Sequence, residues 1–173
     1  MEKIFQANGH EKESWGSNTY IRQNTFQNKG HKRDNEGHFI ILTGTVQQED
    51  ITFIKIYAPN IETPKHIKKI LEDFKKDIDN NTAIIGDFNT PLSEMDRSSK
   101  QRITQDIVTP NDTLDQMDLI DIYGIYHPKE AKYTFFSNAH GTFSKTDHMV
   151  GHKTNFNKFK KIENLSHIKH MLR

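Results

Sequence analysis

The run Thr82-Ala83-Ile84-Ile85-Gly86-Asp87-Phe88-Asn89 reads as a short apolar strand that ends on an acid. Its length and near-continuous apolar character suit a central strand buried on both faces of a sheet. Such a strand delivers Asp87 at its carboxyl end, where α/β sheets place ligands. If the chain stays extended, Asp87 and Asn89 point the same way. A carboxylate can orient or deprotonate water, and an amide can donate to a charged oxygen. Taken alone, Gly86-Asp87-Phe88-Asn89 is equally a turn signal, because Asp and Asn after a strand are ordinary turn formers.

Working backwards, residues 64–79 place Ile67, Ile70, Leu71, Phe74 and Ile78 on one helical stripe, with Pro64 in the first turn and Thr63 as the expected cap. Residues 38–57 are β-branched and aromatic, interrupted by Gln48-Glu49, and read as a two-stranded hairpin. In its second strand Ile51, Phe53, Lys55 and Tyr57 share one face. Pro59 ends that strand because it cannot donate to a ladder. Working forwards, residues 110–119 suggest a short helix opened at Pro110, Asn111 or Asp112. Residues 119–126 fit either a helix or a strand. Residues 133–136 and 146–150 read as two more strands around a loop at 137–141. Strand–helix–strand in the middle with β-hairpins around it predicts a layered α/β domain.

The ends differ from this centre. Residues 10–37 carry few apolar side chains and follow neither strand nor helix period, so residues 1–37 are expected to be a poorly ordered polar segment. Residues 38–152 form the expected core, and residues 153–173 a basic tail in which Phe156, Phe159 and Ile162 sit at helical spacing. From Lys145 onward the formal charge is +5, but the charge of the 173-residue chain is only +1, which excludes a basic field over the whole surface. Cysteine is absent, so disulfide-linked partners, thiolate metal sites and a Cys nucleophile are excluded. Mean hydropathy is −0.83, the longest purely aliphatic–aromatic run is Phe39-Ile40-Ile41-Leu42, and residues 1–10 lack the apolar stretch of a signal peptide. These features predict an intracellular protein, cytoplasmic or nuclear, with no membrane contact. His148 and His152 are four apart, but on a strand that spacing separates them, so they make no zinc pair.

Tyr57 before Ala58-Pro59-Asn60, Asp87 and Asn89 in the central run, and Asp147 in Ser144-Lys145-Thr146-Asp147-His148 all stand at strand ends, in that order. With residues 118–137 between Asn89 and Asp147, this order resembles the endonuclease domain of mammalian long interspersed element retrotransposons, over roughly residues 34–162 with a stub at 1–9. That domain belongs to the exonuclease–endonuclease–phosphatase superfamily, together with apurinic/apyrimidinic endonucleases and DNase I. The resemblance implies a four-layered α/β sandwich, here incomplete and with loose terminal segments. It implies magnesium as the cofactor, DNA as the partner and hydrolysis of one DNA strand as the reaction. It assigns Tyr57 to a phosphate contact, Asp87 to the attacking water, Asn89 to holding that aspartate and the phosphate, and Asp147 to supporting a catalytic histidine. His148, the residue after Asp147, varies in the superfamily and is not expected to be catalytic. Arg97 and Ser98 match a loop near DNA, and Thr142, Phe143 and Ser144 lie beside the loop that helps choose the target sequence.

The departures from that pattern matter as much. The Gln-Glu-Thr-His signature, whose Glu binds the metal, does not occur in these 173 residues, and the terminal Ser-Asp-His run is replaced by Ser166-His167. No metal ligand is therefore assigned. Residues 12–31 stand where the family has an apolar strand, and they and the residues after Glu163 read as if translated out of frame. The expectation is a degenerate, partly folded endonuclease fragment that is inactive alone. The alternatives are a nuclease with residual activity and a non-catalytic nucleic-acid-binding module. Oligomeric state is left open.

Overall fold

A computed structural model of the chain describes residues 2–6, 18–22, 26–46, 48–59, 62–98, 105–130, 132–138 and 141–158. Strands β1 (Glu2–Gln6) and β2 (Asn18–Arg22) form an antiparallel pair. The body of the fold is a six-stranded sheet. Its strands are β3 (Phe26–Arg33), β4 (Phe39–Val46), β5 (Glu49–Tyr57), β6 (Thr82–Asp87), β7 (Leu119–Asp121) and β10 (Asp147–His152), in the spatial order β3-β4-β5-β6-β10-β7. The short strands β8 (Phe135–Ser137) and β9 (Thr142–Ser144) pair separately. The α-helices among the described residues are α1 (Thr63–Asp73), α2 (Gln105–Gln116) and α3 (Ile122–Tyr126).

The expected central strand is central. β6 lies parallel to β5 and antiparallel to β10, with Ala83 and Ile84 fully buried. One face of the sheet, carrying Ile54, Ile56, Ile84 and Val150, packs against Ile67, Ile70 and Leu71 of α1 and Leu114 of α2. The α1 stripe read from the sequence is therefore the buried face of that helix. Each such fully buried Ile or Leu contributes roughly 1.5–3 kcal/mol. The opposite face carries a second cluster, Phe26, Ile40 and Leu42, with Val46, Ile51 and Phe53 packed against it.

Four local readings change. Phe26–Arg33 lies in the stretch expected to be poorly ordered, yet it is an edge strand paired with β4 through a bulge between Asn28 and Gly30. Only Phe26 of its eight residues is buried, so its backbone ladder, not its side chains, makes it a strand. Thr63 is the first helical residue and not the cap; its hydroxyl donates back to the Pro59 carbonyl at 2.7 Å, while Glu62 takes the cap position with φ 52°. Pro110 does not open α2 but sits buried inside it, because the helix begins five residues earlier. The ambiguous run 119–126 is both elements in turn: β7, then α3. The helical pattern read for the basic tail lies outside the described residues beyond Lys158. Among the described residues no helix is long and apolar enough to cross a membrane.

Candidate active site

Tyr57 is the last residue of β5, Asp87 the last of β6 and Asp147 the first of β10. The sheet register sets Tyr57 beside Asp87 and Asp87 opposite Asp147. Directly paired residues share a face, so the phenol and the two carboxylates stand in one row on the face away from the helices. The adjacent row, Ile56–Gly86–His148, points to the helix side. His148 is thus separated from Asp147 by the thickness of the sheet.

Gly86 is required where it stands. Its φ is 156°, and a Cβ there would lie 1.9 Å from the Ile56 carbonyl oxygen. This close approach seats the end of β6 against β5. Beyond Asp87 the chain does not stay extended. Phe88 turns into the core, fully buried and tilted over the His148 ring at 5.5 Å. Asn89 adopts φ 50°, a left-handed conformation that Asn tolerates better than most residues. Its N–H donates to Asp87 Oδ1 at 2.9 Å, and its Nδ2 reaches the Ala58 carbonyl at 3.4 Å. Asn89 is brought to Asp87 by a side-chain-closed turn rather than by strand alternation.

Asp147 is held by Thr134, whose hydroxyl accepts from the N–H groups of Thr146 at 3.0 Å and Asp147 at 3.3 Å. Burial pushes the Asp147 pKa up, and the neighbouring Asp87 charge adds to the rise, against the opposing pull of Thr134, His148 and Lys55. Lys55 lies on the same face as Tyr57, one row back beside Ile85. It is only 5% exposed, and its Nζ has no hydrogen-bond partner among the described residues. Burial lowers its pKa to about 8, with the Asp147 charge working the other way.

The four residues expected on the substrate side form a continuous patch of backbone. Arg97 makes an antiparallel bridge to Ser144. Ser98 N donates to the Phe143 carbonyl at 2.9 Å, and Phe143 N donates to Ser98 Oγ at 2.8 Å. Thr142 pairs with Ser137 at the far end of β9. The loop after β6 is thereby sewn to the strand that leads, through Lys145 and Thr146, into Asp147. Phe143 stacks on Tyr133 and packs on Phe136 while remaining 43% exposed.

Sequence reasoning missed a buried charged cluster behind this surface. Lys145 Nζ lies 2.7 Å from Asp121 Oδ2, 3.8 Å from Asp96 Oδ1 and 4.6 Å above the Tyr123 ring. His148 Nδ1 faces Asp121 Oδ2 at 3.2 Å, and its Nε2 faces the Thr90 carbonyl at 3.0 Å. Asp96 Oδ2 accepts from Leu92 N, Ser93 N and Ser93 Oγ at 2.7–3.1 Å. Burial alone would raise the Asp121 pKa, but the hydrogen bonds and charges of His148 and Lys145 outweigh it and hold the carboxyl at about 2. The cluster ties the segment after Asn89 to β7 and β10 and so fixes the site from behind.

Among the described residues two groups have ligand atoms close enough to share a metal ion: Asp96, Asp121 and His148, and Asp34, Glu36 and His38 at the β3–β4 turn. In the first, the Lys145 ammonium already serves as the cation. In the second, His38 Nδ1 lies 3.3 Å from both carboxylates, and the Asp34 carboxyl also accepts from His38 N at 3.1 Å. Neither group includes Asp87 or Asp147.

The fold built on this sheet is shared with several solved structures. The endonuclease domain of TRAS1, a telomere-specific non-LTR retrotransposon, superposes with a TM-score of 0.62 at 10% identity, over 88% of this chain and 66% of that one. The chain has the fold of the apurinic/apyrimidinic endonuclease-like nucleases. The AP endonuclease LMAP of Leishmania major gives a TM-score of 0.67 at 12% identity, over 90% of this chain and 63% of LMAP. TDP2 of D. rerio, complexed with a single-strand DNA product, gives 0.55 at 11% identity, over 88% of this chain and 63% of that one. The chain thus spans just under two thirds of the length of each. No protein-family model matches it.

Proposed function

We propose that this chain is the core of a retrotransposon-type DNA endonuclease that engages a DNA phosphodiester and, by itself, does not cut it. The observation that carries this reading is the in-register row of Tyr57, Asp87 and Asp147, with Asn89 folded back onto Asp87. In this reading the Tyr57 hydroxyl donates to a phosphate oxygen and Asp87 orients a water at the phosphorus. Asn89 fixes Asp87, and Asp147 carries the second negative charge of the site. Arg97, Ser98, Thr142 and Ser144 lie along the DNA backbone.

Inactivity is supported by what surrounds the row. Hydrolysis of a phosphodiester draws on a cation held by several hard oxygen ligands. Among the described residues no third carboxylate or imidazole joins Asp87 and Asp147 in a metal-sized group. Loss of one preorganised group costs roughly 100- to 1000-fold in rate, and several are missing from these 173 residues. The test is a plasmid-nicking assay with Mg²⁺ or Mn²⁺, run beside binding of a fluorescein-labelled DNA duplex, for the chain and its Asp87→Ala variant. Duplex binding with no nicking supports the proposal. Nicking by the unmodified chain that disappears in Asp87→Ala contradicts it.

A further inference from the structure

Lys55 is a buried cation one row behind the two carboxylates of the candidate site. It sits on the same face of β5 as Tyr57, flanked across the sheet by Ile40 and Ile85, and it is one row from Asp87 and Asp147. Its side chain is buried and its Nζ makes no hydrogen bond among the described residues. An ammonium so placed is costly unless an anion compensates it. Asp147 supplies that anion, and Asp147 is itself half-buried and crowded by the Asp87 charge. Each group therefore relieves the other, and burial draws the Lys55 pKa only down to about 8.

The magnesium ion implied by the sequence resemblance fits these residues poorly. Mg²⁺ demands near-octahedral oxygen ligation. Here one oxygen of Asp87 is engaged by Asn89 N, no third carboxylate or imidazole among the described residues joins Asp87 and Asp147 in a metal-sized group, and the ionisable group one row back on that face is an ammonium. We propose that Lys55 is the built-in counter-ion of the Asp87–Asp147 pair, standing electrostatically in place of a divalent metal, so that the site engages a phosphodiester without one. This rests on the phosphodiester reading above for its biological meaning, while the charge relationship rests on the shared sheet face and on the Asp147 charge acting on Lys55. Lys55 acts through the two carboxylates and is a positioning residue.

The experiment measures Mn²⁺ binding to the full chain by electron paramagnetic resonance, and binding of a labelled DNA duplex in EDTA and in Mn²⁺. The unmodified chain should bind Mn²⁺ within twofold of Asp87→Asn. Lys55→Gln should bind Mn²⁺ at least tenfold more tightly, and the gain should vanish in Lys55→Gln/Asp87→Asn. In EDTA, Lys55→Gln should lose at least tenfold in duplex affinity and regain it with Mn²⁺, while the unmodified chain is indifferent to EDTA. The proposal is overturned if the unmodified chain binds Mn²⁺ tenfold more tightly than Asp87→Asn, or if folded Lys55→Gln binds it no better than the parent. Should Lys55→Gln not fold, the comparison of the parent with Asp87→Asn still decides. If no variant binds duplex but the Mn²⁺ pattern holds, the counter-ion stands and the phosphodiester reading fails.

Discussion

Asp147 stands directly opposite Asp87 on adjacent antiparallel strands, and the two carboxylates share one face of the sheet. Like charges so paired repel, and the Asp87 charge adds to the rise that burial gives the Asp147 pKa. Asp87→Asn is therefore expected to stabilise the chain at pH 7 by about 0.5 kcal/mol, within the range for cross-strand pairs. Because Asp147 is raised above its ordinary value, the gain should shrink as pH falls and Asp147 takes up its proton. Urea unfolding of parent and variant from pH 7 to pH 4 measures it.

The opposite sign applies to Asp121. Its carboxyl is held at about 2 against an ordinary 3.8. A depressed acid contributes stability above its unfolded pKa and loses it as pH drops toward the folded value. The contribution is on the order of 2 kcal/mol. Asp121→Asn also leaves buried Lys145 without its nearest anion, and should cost about 3–5 kcal/mol at pH 7. Chemical denaturation should show the gap between parent and variant narrowing between pH 4 and pH 2.

Gly86 has no tolerance for a side chain, since a Cβ would meet the Ile56 carbonyl oxygen at 1.9 Å. Gly86→Ala should destabilise by more than about 3 kcal/mol, the range of severe backbone conflicts. A thermal melt followed by circular dichroism, compared with Gly141→Ala, isolates the clash: Gly141 also has positive φ but open space around it.

Much of this architecture was legible in the chain. The central strand announced itself because Ala83, Ile84 and Ile85 are apolar without interruption, as burial on both faces requires. The α1 stripe was legible for the same reason, since helix packing leaves a 3.6-residue signature. Phe26–Arg33 was not, because an edge strand needs a partner's backbone more than apolar side chains of its own. The buried cluster was hidden by distance: Asp121 and His148 are 27 residues apart, and nothing local in either segment names the other. Lys55 was placed on the correct face by alternation, but its isolation depends on what covers that face, which periodicity does not encode.

Arg97 leads the loop bridged to Ser144 and is only partly buried. If it meets a phosphate, Arg97→Ala should weaken duplex binding evenly across DNA sequences and reduce the slope of log affinity against log salt by about 1. Fluorescence anisotropy between 50 and 200 mM salt, roughly the span over which such contacts are most visible, reads it.

The central claim is that a DNA phosphate comes to the row formed by Tyr57, Asp87 and Asp147. Titrating the ¹⁵N-labelled chain with a DNA duplex and following its backbone amide signals tests this most directly. Shifts concentrated at Tyr57, Asp87, Asn89 and Asp147, extending to Arg97 and Ser98, are the expected result. A duplex that binds while those signals stay fixed, with the shifts elsewhere on the chain, would contradict it.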